Sequence, residues 1–182
     1  ILKETLKTIR PTTMLSVPLI IEKMYKSSIV PTVRGSRFLS FLQEHVPGVL
    51  AWLVGMKLRK IFGGRIHFFG IGGAKLDPEV ETFLHRAGFP YAIGYGLTET
   101  APLVCAASPY KTRIGTTGPA THCSQVRLEN VNPETGLGEI TVKGPNVMLG
   151  YYKDYERTQA VLSQDGWFRT GDLAAIDAKG RF

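Results

Sequence analysis

Cysteine is scarce in this chain. Cys105 and Cys123 are the only two among 182 residues, too few for a disulfide framework or a four-ligand zinc site. A reduced, cytoplasmic setting is the default expectation. Long apolar runs are missing as well. The longest, Val46 to Met56, falls well short of the roughly 20 residues a membrane-crossing helix needs. Lys57, Arg59 and Lys60 follow it, so the segment reads as an amphipathic surface helix or as a helix packed on its own domain. Basic runs interleaved with aromatics are absent, and so is zinc-finger spacing, which argues against nucleic acid as a partner. Composition argues against disorder, since 43% hydrophobic and 20% charged residues are ordinary for a globular chain.

The net charge of +7 is unevenly spread. Residues 1–75 carry 12 Lys and Arg against 3 Asp and Glu, whereas residues 76–182 carry 10 against 12. Such a basic first part attracts phosphates or an anionic membrane surface, or it is a solvated face whose partner segment lies elsewhere. The chain starts at Ile1 and ends at Phe182, and neither end reads as a natural terminus. A piece of a longer chain is therefore expected.

Residues 1–107 read as alternating helix and strand. Leu2, Leu6 and Ile9 are spaced for one helical face, which Pro11 ends. Met14–Val17 reads as a short strand, residues 20–26 and 34–62 as helical, the latter interrupted at Pro47-Gly48. Arg65–Phe69 reads as a buried strand running into a turn, Gly70-Ile-Gly-Gly73. Asp77-Pro78-Glu79 is a helix start in which Asp77 caps and Pro78 suits the first turn, and Gly88 supplies a left-handed stop. Tyr91–Tyr95 is the next strand. From about residue 108 to 182 the texture changes: Val126–Val131 and Glu139–Val142 are β-type runs around Asn132-Pro-Glu-Thr-Gly136, a hairpin signature. Asp177-Ala-Lys-Gly180 marks a further turn. The expected class is an α/β layer followed by a β-rich lobe.

Three stretches carry chemistry. In Gly94-Tyr-Gly-Leu-Thr-Glu99-Thr100, the two glycines at a strand end allow close approach to the backbone. Tyr95 offers a flat ring for a base, Thr98 donors for a phosphate oxygen, and Glu99 a hard oxygen for Mg²⁺. A plain turn with incidental polar residues would read the same way. In Gly166-Trp-Phe-Arg-Thr-Gly-Asp172-Leu173, a carboxylate after a Thr-Gly turn can accept from two vicinal hydroxyls, as a ribose presents; an Asp bonded to its own turn is the plainer alternative. Gly70-Ile-Gly-Gly-Ala74 invites a dinucleotide-binding reading, but the third glycine would sit where Lys75 stands, and that reading is rejected.

Taken together, these stretches resemble the adenylate-forming (AMP-binding) superfamily. Tyr95-Gly-Leu-Thr-Glu99 is similar to its Tyr-Gly-x-Thr-Glu motif, Gly72-Gly-Ala74 to its adenine-side segment, and Thr170-Gly-Asp172 to its Thr-Gly-Asp motif. Gly138-Glu-Ile-Thr-Val-Lys-Gly144 with Gly150-Tyr-Tyr152, and Pro11-Thr-Thr-Met-Leu-Ser-Val-Pro18, resemble two further blocks. All stand in the family's order. The resemblance implies part of the large N-terminal domain of an acyl-CoA synthetase-like adenylating enzyme. It implies that Gly73 and Ala74 border the adenine, that Tyr95 stacks on it, and that Gly94 and Gly96 line the nucleotide and acyl sides of the cleft. Thr98 would meet the phosphate, Glu99 would help hold Mg²⁺, and Asp172 would bind the ribose hydroxyls. The implied partners are ATP, a fatty acid and coenzyme A, with peripheral membrane contact open to the basic first half.

Within the superfamily, Gly94-Tyr-Gly-Leu-Thr-Glu-Thr-Ala-Pro102 most resembles long-chain fatty-acid–CoA ligases. Aryl-CoA ligases and luciferases have similar strings, whereas Leu97 argues against amino-acid-activating domains. A non-catalytic nucleotide-binding module or a basic membrane-binding module are the competing classes. The family's phosphate loop, rich in Ser, Thr and Gly and ending in Lys, is expected before Ile1, and its C-terminal catalytic Lys after Phe182. Gly115-Thr-Thr-Gly-Pro119 imitates that loop but is followed by Ala120 and Thr121 rather than Lys, and reads as a glycine-rich strand.

Overall fold

The computed structural model describes residues 2–182, in two compact units. The first comprises, of the described residues, 2–93 and Ser108–Gly115. Its helices are α1 (Leu2–Ile9), α2 (Pro18–Met24), α3 (Val30–Arg34), α4 (Arg37–His45), α5 (Pro47–Ile61) and α6 (Pro78–Arg86), and its strands are β1 (Thr13–Ser16), β2 (Phe68–Ile71) and β3 (Tyr91–Tyr95). The three strands are parallel in the order β1-β2-β3, with helices in the crossovers, as parallel pairing requires.

Helix α6 follows the sequence closely. Asp77 Oδ1 accepts from Glu79 N at 2.9 Å and Val80 N at 3.4 Å, and Gly88 takes φ +59°. Strand β2 does not. It runs from Phe68 to Ile71, so Gly70 and Ile71 belong to the strand and not to the turn expected there. The partner strand decides this: Thr13–Ser16 pairs residue for residue with Phe68–Ile71. A side chain at Gly70 would collide with Leu15 Cδ2, at 2.5 Å, and the Phe68 ring, so the glycine serves packing across the pair.

The core of this unit lies under the sheet. Leu50, Val54 and Leu58 of α5 are buried with Phe62, Phe69, Val80, Leu84 and Phe89. The rings of Phe62, Phe69 and Phe89 meet pairwise, with centroids 5.2–5.6 Å apart. The apolar run at 46–56 is thus a helix packed on its own domain, although Val49, Trp52 and Met56 face outward. Among the described residues, no helix is long and apolar enough to cross a membrane. The single face expected for α1 is corrected: Leu6 is buried, but Ile9 is 68% exposed, and the side chain of Leu2 lies outside the described residues. The helix ends at Ile9 and Arg10 turns left-handed, φ +51°, so the last residue no longer follows the helical face.

One buried charge ties the segment at Ser108–Gly115 to this core. Glu81, 4% exposed, accepts from Tyr91 Oη at 3.3 Å, and the Gly115 N–H donates to both its oxygens at 3.1–3.2 Å. Thr112 Oγ1 donates to the Tyr91 carbonyl at 3.1 Å.

The second unit comprises Gly94–Ala107 and Thr116–Phe182. Gly94 and Tyr95, the end of β3, pair antiparallel with Ala106 and Cys105 of β4 (Cys105–Ala106). Strands β5 (Gln125–Glu129), β6 (Gly138–Lys143) and β7 (Phe168–Ala174) form an antiparallel sheet in that order. The expected hairpin joins β5 to β6, with Asn132 Oδ1 accepting from Glu134 N and Thr135 N at 2.8 and 3.1 Å. Val104, Cys105, Ile140 and Val142 are buried together, and burial pushes the Cys105 thiol up to about 12.

Three departures matter in this unit. Helix α7 (Tyr155–Val161) has no counterpart in the sequence reading, because its exposed residues show no apolar face; Asp154 Oδ1 caps it through Arg157 N at 3.0 Å. Gly115–Pro119 is not a regular strand, only an isolated bridge from Pro119 to Arg181. Asp172, expected just after a Thr-Gly turn, lies within β7. The α/β layer and the antiparallel β-rich lobe both stand as expected.

Replacing Glu81 by Ala leaves the Tyr91 hydroxyl and the Gly115 N–H without their acceptor. The expected cost is about 2–4 kcal/mol, read as a lowered urea midpoint with an unchanged slope. An unchanged midpoint would remove Glu81 from the framework.

Candidate active site

The first sequence motif folds as a tight loop at the end of β3. Leu97 is extended, Thr98–Thr100 form one 3₁₀ turn, and Ala101 is left-handed at φ +49°. The chain then doubles back, so that Val104 N donates to the Tyr95 carbonyl at 2.8 Å. The buried Thr100 hydroxyl ties the loop together. It is 3.0 Å from both Leu97 N and Leu97 O and 3.2 Å from Pro102 O. This return explains the glycines better than an incoming ligand does. An ideal Cβ on Gly96 would sit 1.7 Å from the Pro102 carbonyl, and one on Gly94 would sit 2.9 Å from Leu103 Cδ1.

Because Thr100 points inward, its neighbours point elsewhere. Thr98 is exposed and Glu99 half-buried. Glu99 Oε1 accepts from Tyr151 Oη at 2.9 Å, and the Glu99 carbonyl accepts from Met148 N at 2.8 Å. Asn146 Nδ2 donates to Thr100 O at 3.0 Å and to Leu103 O at 3.4 Å, so a second segment braces the loop from outside.

The Thr-Gly-Asp motif is a β-bulge. Thr141 pairs with Arg169 and Glu139 with Leu173, so Thr170, Gly171 and Asp172 together face Ile140. Thr170 Oγ1 donates to Ile140 O at 2.8 Å and accepts from Asp172 N at 3.1 Å, while Gly171 N donates to Glu139 Oε1 at 3.2 Å. Gly171 adopts φ +77°, a conformation that favours glycine. A bulge re-aims the side chain that follows it. Here the result is a 2.8 Å hydrogen bond from Tyr95 Oη to Asp172 Oδ2, across 77 positions of sequence. Burial pushes the Tyr95 phenol well above its ordinary range, and the Asp172 carboxylate adds to this against an opposing Thr170 contact. The phenol is therefore a donor at neutral pH.

Tyr95, Thr98, Glu99 and Asp172 thus belong to one unit, and the first and last of them touch. Gly73 and Ala74 belong to the other, in the exposed turn after β2. Gly72 N donates to Ser16 O at 3.2 Å. Gly73 is left-handed at φ +85°, with only Val17 Cγ1, 3.9 Å away, near where a side chain would stand. Tyr151, Asn146 and Thr100 escaped sequence reasoning. Thr100 and Tyr151 stand within the quoted motifs but no role was read for them, since each of the three acts through a partner distant in sequence or through its own turn.

The donor set fits a nucleotide and a hard cation. Among the described residues, Asp172 Oδ1 and Glu99 Oε2 take no hydrogen bond, which leaves one oxygen of each carboxylate for other partners. No cluster of three His, Cys, Asp or Glu side chains occurs among the described residues. Mg²⁺ does not need one, because it is commonly held by one or two carboxylates together with substrate phosphates and water.

Comparison with known proteins places this geometry. The family model described as AMP-binding enzyme matches residues 1–152. Long-chain-fatty-acid–CoA ligase 1 of Saccharomyces cerevisiae is 34% identical over 149 residues, covering 78% of this chain and 21% of that protein. Peroxisomal long chain acyl-CoA synthetase 7 of Arabidopsis thaliana is 33% identical, covering 99% of this chain and 29% of that protein. This chain therefore spans between a fifth and a third of the length of these relatives. The o-succinylbenzoate CoA synthetase of Bacillus subtilis, bound to a product analogue, shares the fold over 100% of this chain and 33% of its own, with a TM-score of 0.72 at 23% identity. The motif order and these matches agree: the chain belongs to the AMP-binding enzyme family.

Proposed function

We propose that the protein bearing this chain joins a long-chain fatty acid to coenzyme A at the expense of ATP. The Tyr95–Asp172 hydrogen bond carries the reading, because it brings an aromatic face and a ribose-type carboxylate acceptor together from two distant motifs. The long-chain acyl ligases among the relatives support the substrate class.

In this reading a fatty-acid carboxylate oxygen attacks the α-phosphorus of ATP. The bond to the β-phosphate oxygen breaks, and pyrophosphate leaves. The coenzyme A thiol then attacks the acyl carbon as its proton is lost, and AMP departs. The chain's own residues position the nucleotide. The Tyr95 ring stacks on the adenine, which Gly73 and Ala74 border, while the backbone at Gly94 and Gly96 lines the cleft. Asp172 accepts from the ribose hydroxyls through the oxygen that Tyr95 leaves free. Thr98 donates to a phosphate oxygen, and Glu99 offers one carboxylate oxygen to Mg²⁺. Bound Mg²⁺ supplies charge neutralisation on the phosphates, and the remainder of the rate comes from alignment. Residues 1–182 are taken as a portion of the adenylation domain. A cytoplasmic setting and peripheral membrane contact through the basic first half belong to the same proposal.

An acyl-chain panel on the whole protein, read by AMP formation with and without coenzyme A, tests the reading. Long-chain acids are expected to give AMP and thioester. AMP from aryl acids alone would overturn the substrate class, and none from any acid would overturn the activity. Asp172→Ala in the whole protein should weaken ATP binding by about 1.5–3 kcal/mol, as expected for a hydrogen bond to a charged group; unchanged affinity by calorimetry would take Asp172 out of the site. The 182 residues alone are expected to release no pyrophosphate from ATP, Mg²⁺ and fatty acid, for want of a phosphate loop ending in Lys. Turnover above a Glu99→Ala control would contradict this.

A further inference from the structure

Glu99 is not aimed by its own backbone alone. Its Oε1 accepts from Tyr151 Oη at 2.9 Å across 52 positions of sequence, and the Tyr151 phenol is itself firmly held. Tyr151 N donates to Thr158 Oγ1 at 2.9 Å, and Thr158 Oγ1 donates in turn to Asp154 O at 2.7 Å. The Arg157 guanidinium carbon lies 4.5 Å from the centre of the Tyr151 ring, within cation–π range. Asp154 caps the helix that carries both Arg157 and Thr158. None of that helix's residues is fully buried. Two of its residues hold Tyr151: Thr158 at the backbone and Arg157 at the ring.

We infer that Tyr151 is a positioning residue for Glu99. Its hydroxyl engages one carboxylate oxygen and so turns the other toward the divalent cation of a metal–nucleotide substrate, while Arg157 steadies the ring. The inference rests on the proposed function and adds an orienting partner for its metal-binding carboxylate. A carboxylate at the end of three rotatable bonds samples many directions, and a fixed donor on one oxygen removes most of them before the cation arrives. Partners of this kind tune metal affinity without touching the metal.

The test uses the whole protein, with ATP present and Mg²⁺ titrated, and reads both the thermal shift and the initial rate. Tyr151→Phe keeps the ring and its Arg157 contact but removes the hydroxyl. The Mg²⁺ concentration at half-maximal thermal shift should rise by about tenfold, while the melting temperature without ligand stays put and the rate recovers at saturating Mg²⁺. A wild-type half-point in Y151F overturns the inference. So does a lowered ligand-free melting temperature with an unmoved half-point, which would make Tyr151 a structural brace. Should Y151F not fold, Arg157→Gln decides instead: a raised half-point supports positioning and an unmoved one overturns it. If wild-type protein shows no Mg²⁺-dependent response to ATP at all, the proposed function fails first and this inference falls with it.

Discussion

The buried Thr100 hydroxyl holds the loop from Gly94 to Val104 closed, and Thr98 and Glu99 take their directions from that closure. With its oxygen bonded to Leu97 and Pro102, the chain must reverse within a few residues. The reversal brings the Pro102 carbonyl onto Gly96, where only a missing side chain leaves room. It also leaves Thr98 exposed and Glu99 at the loop's edge. A hydroxyl making several short contacts in a water-poor setting is costly to replace, since each abandoned partner would stay desolvated. The motif is therefore a structural device first. The two residues it leaves accessible, Thr98 and Glu99, are the ones to which the proposed function gives a chemical role.

The second half of the site depends on a defect in a sheet. An unbroken β7 would alternate its side chains face by face. The bulge at Thr170-Gly171 breaks that alternation, and Gly171 makes the necessary backbone conformation cheap. Asp172 then meets Tyr95. Both carboxylates of the site share one arrangement: one oxygen is engaged by a tyrosine hydroxyl, Tyr95 on Asp172 and Tyr151 on Glu99. In each case the phenol serves as a fixed donor. Directional acceptors held this way suit a reaction that depends on alignment.

Local chemistry was legible wherever a residue's partner lies a few positions away. Asp77 capping α6, Gly88 ending it, and Asn132 closing the β5–β6 hairpin all follow from hydrogen bonds within one turn. Register was less legible. The glycine run after Phe69 reads as a turn, yet pairing with β1 carries β2 through Gly70 to Ile71. Helix α7 lacks an apolar stripe and so leaves no periodic trace. Ile9 fits a helical face in spacing but falls where the helix ends.

By itself, the sequence determined the class of fold and the membership of the family, because glycine spacing, caps and short motifs are local and survive without knowledge of what lies across the molecule. Which carboxylate oxygens are engaged, why Gly96 must be glycine, and that Tyr151 stands behind Glu99 were decided only by tertiary structure. Those facts are contacts between segments 52 to 77 positions apart, or between a loop and its own return. No periodicity in the chain encodes them; they follow from where sheet pairing and loop closure bring the backbone.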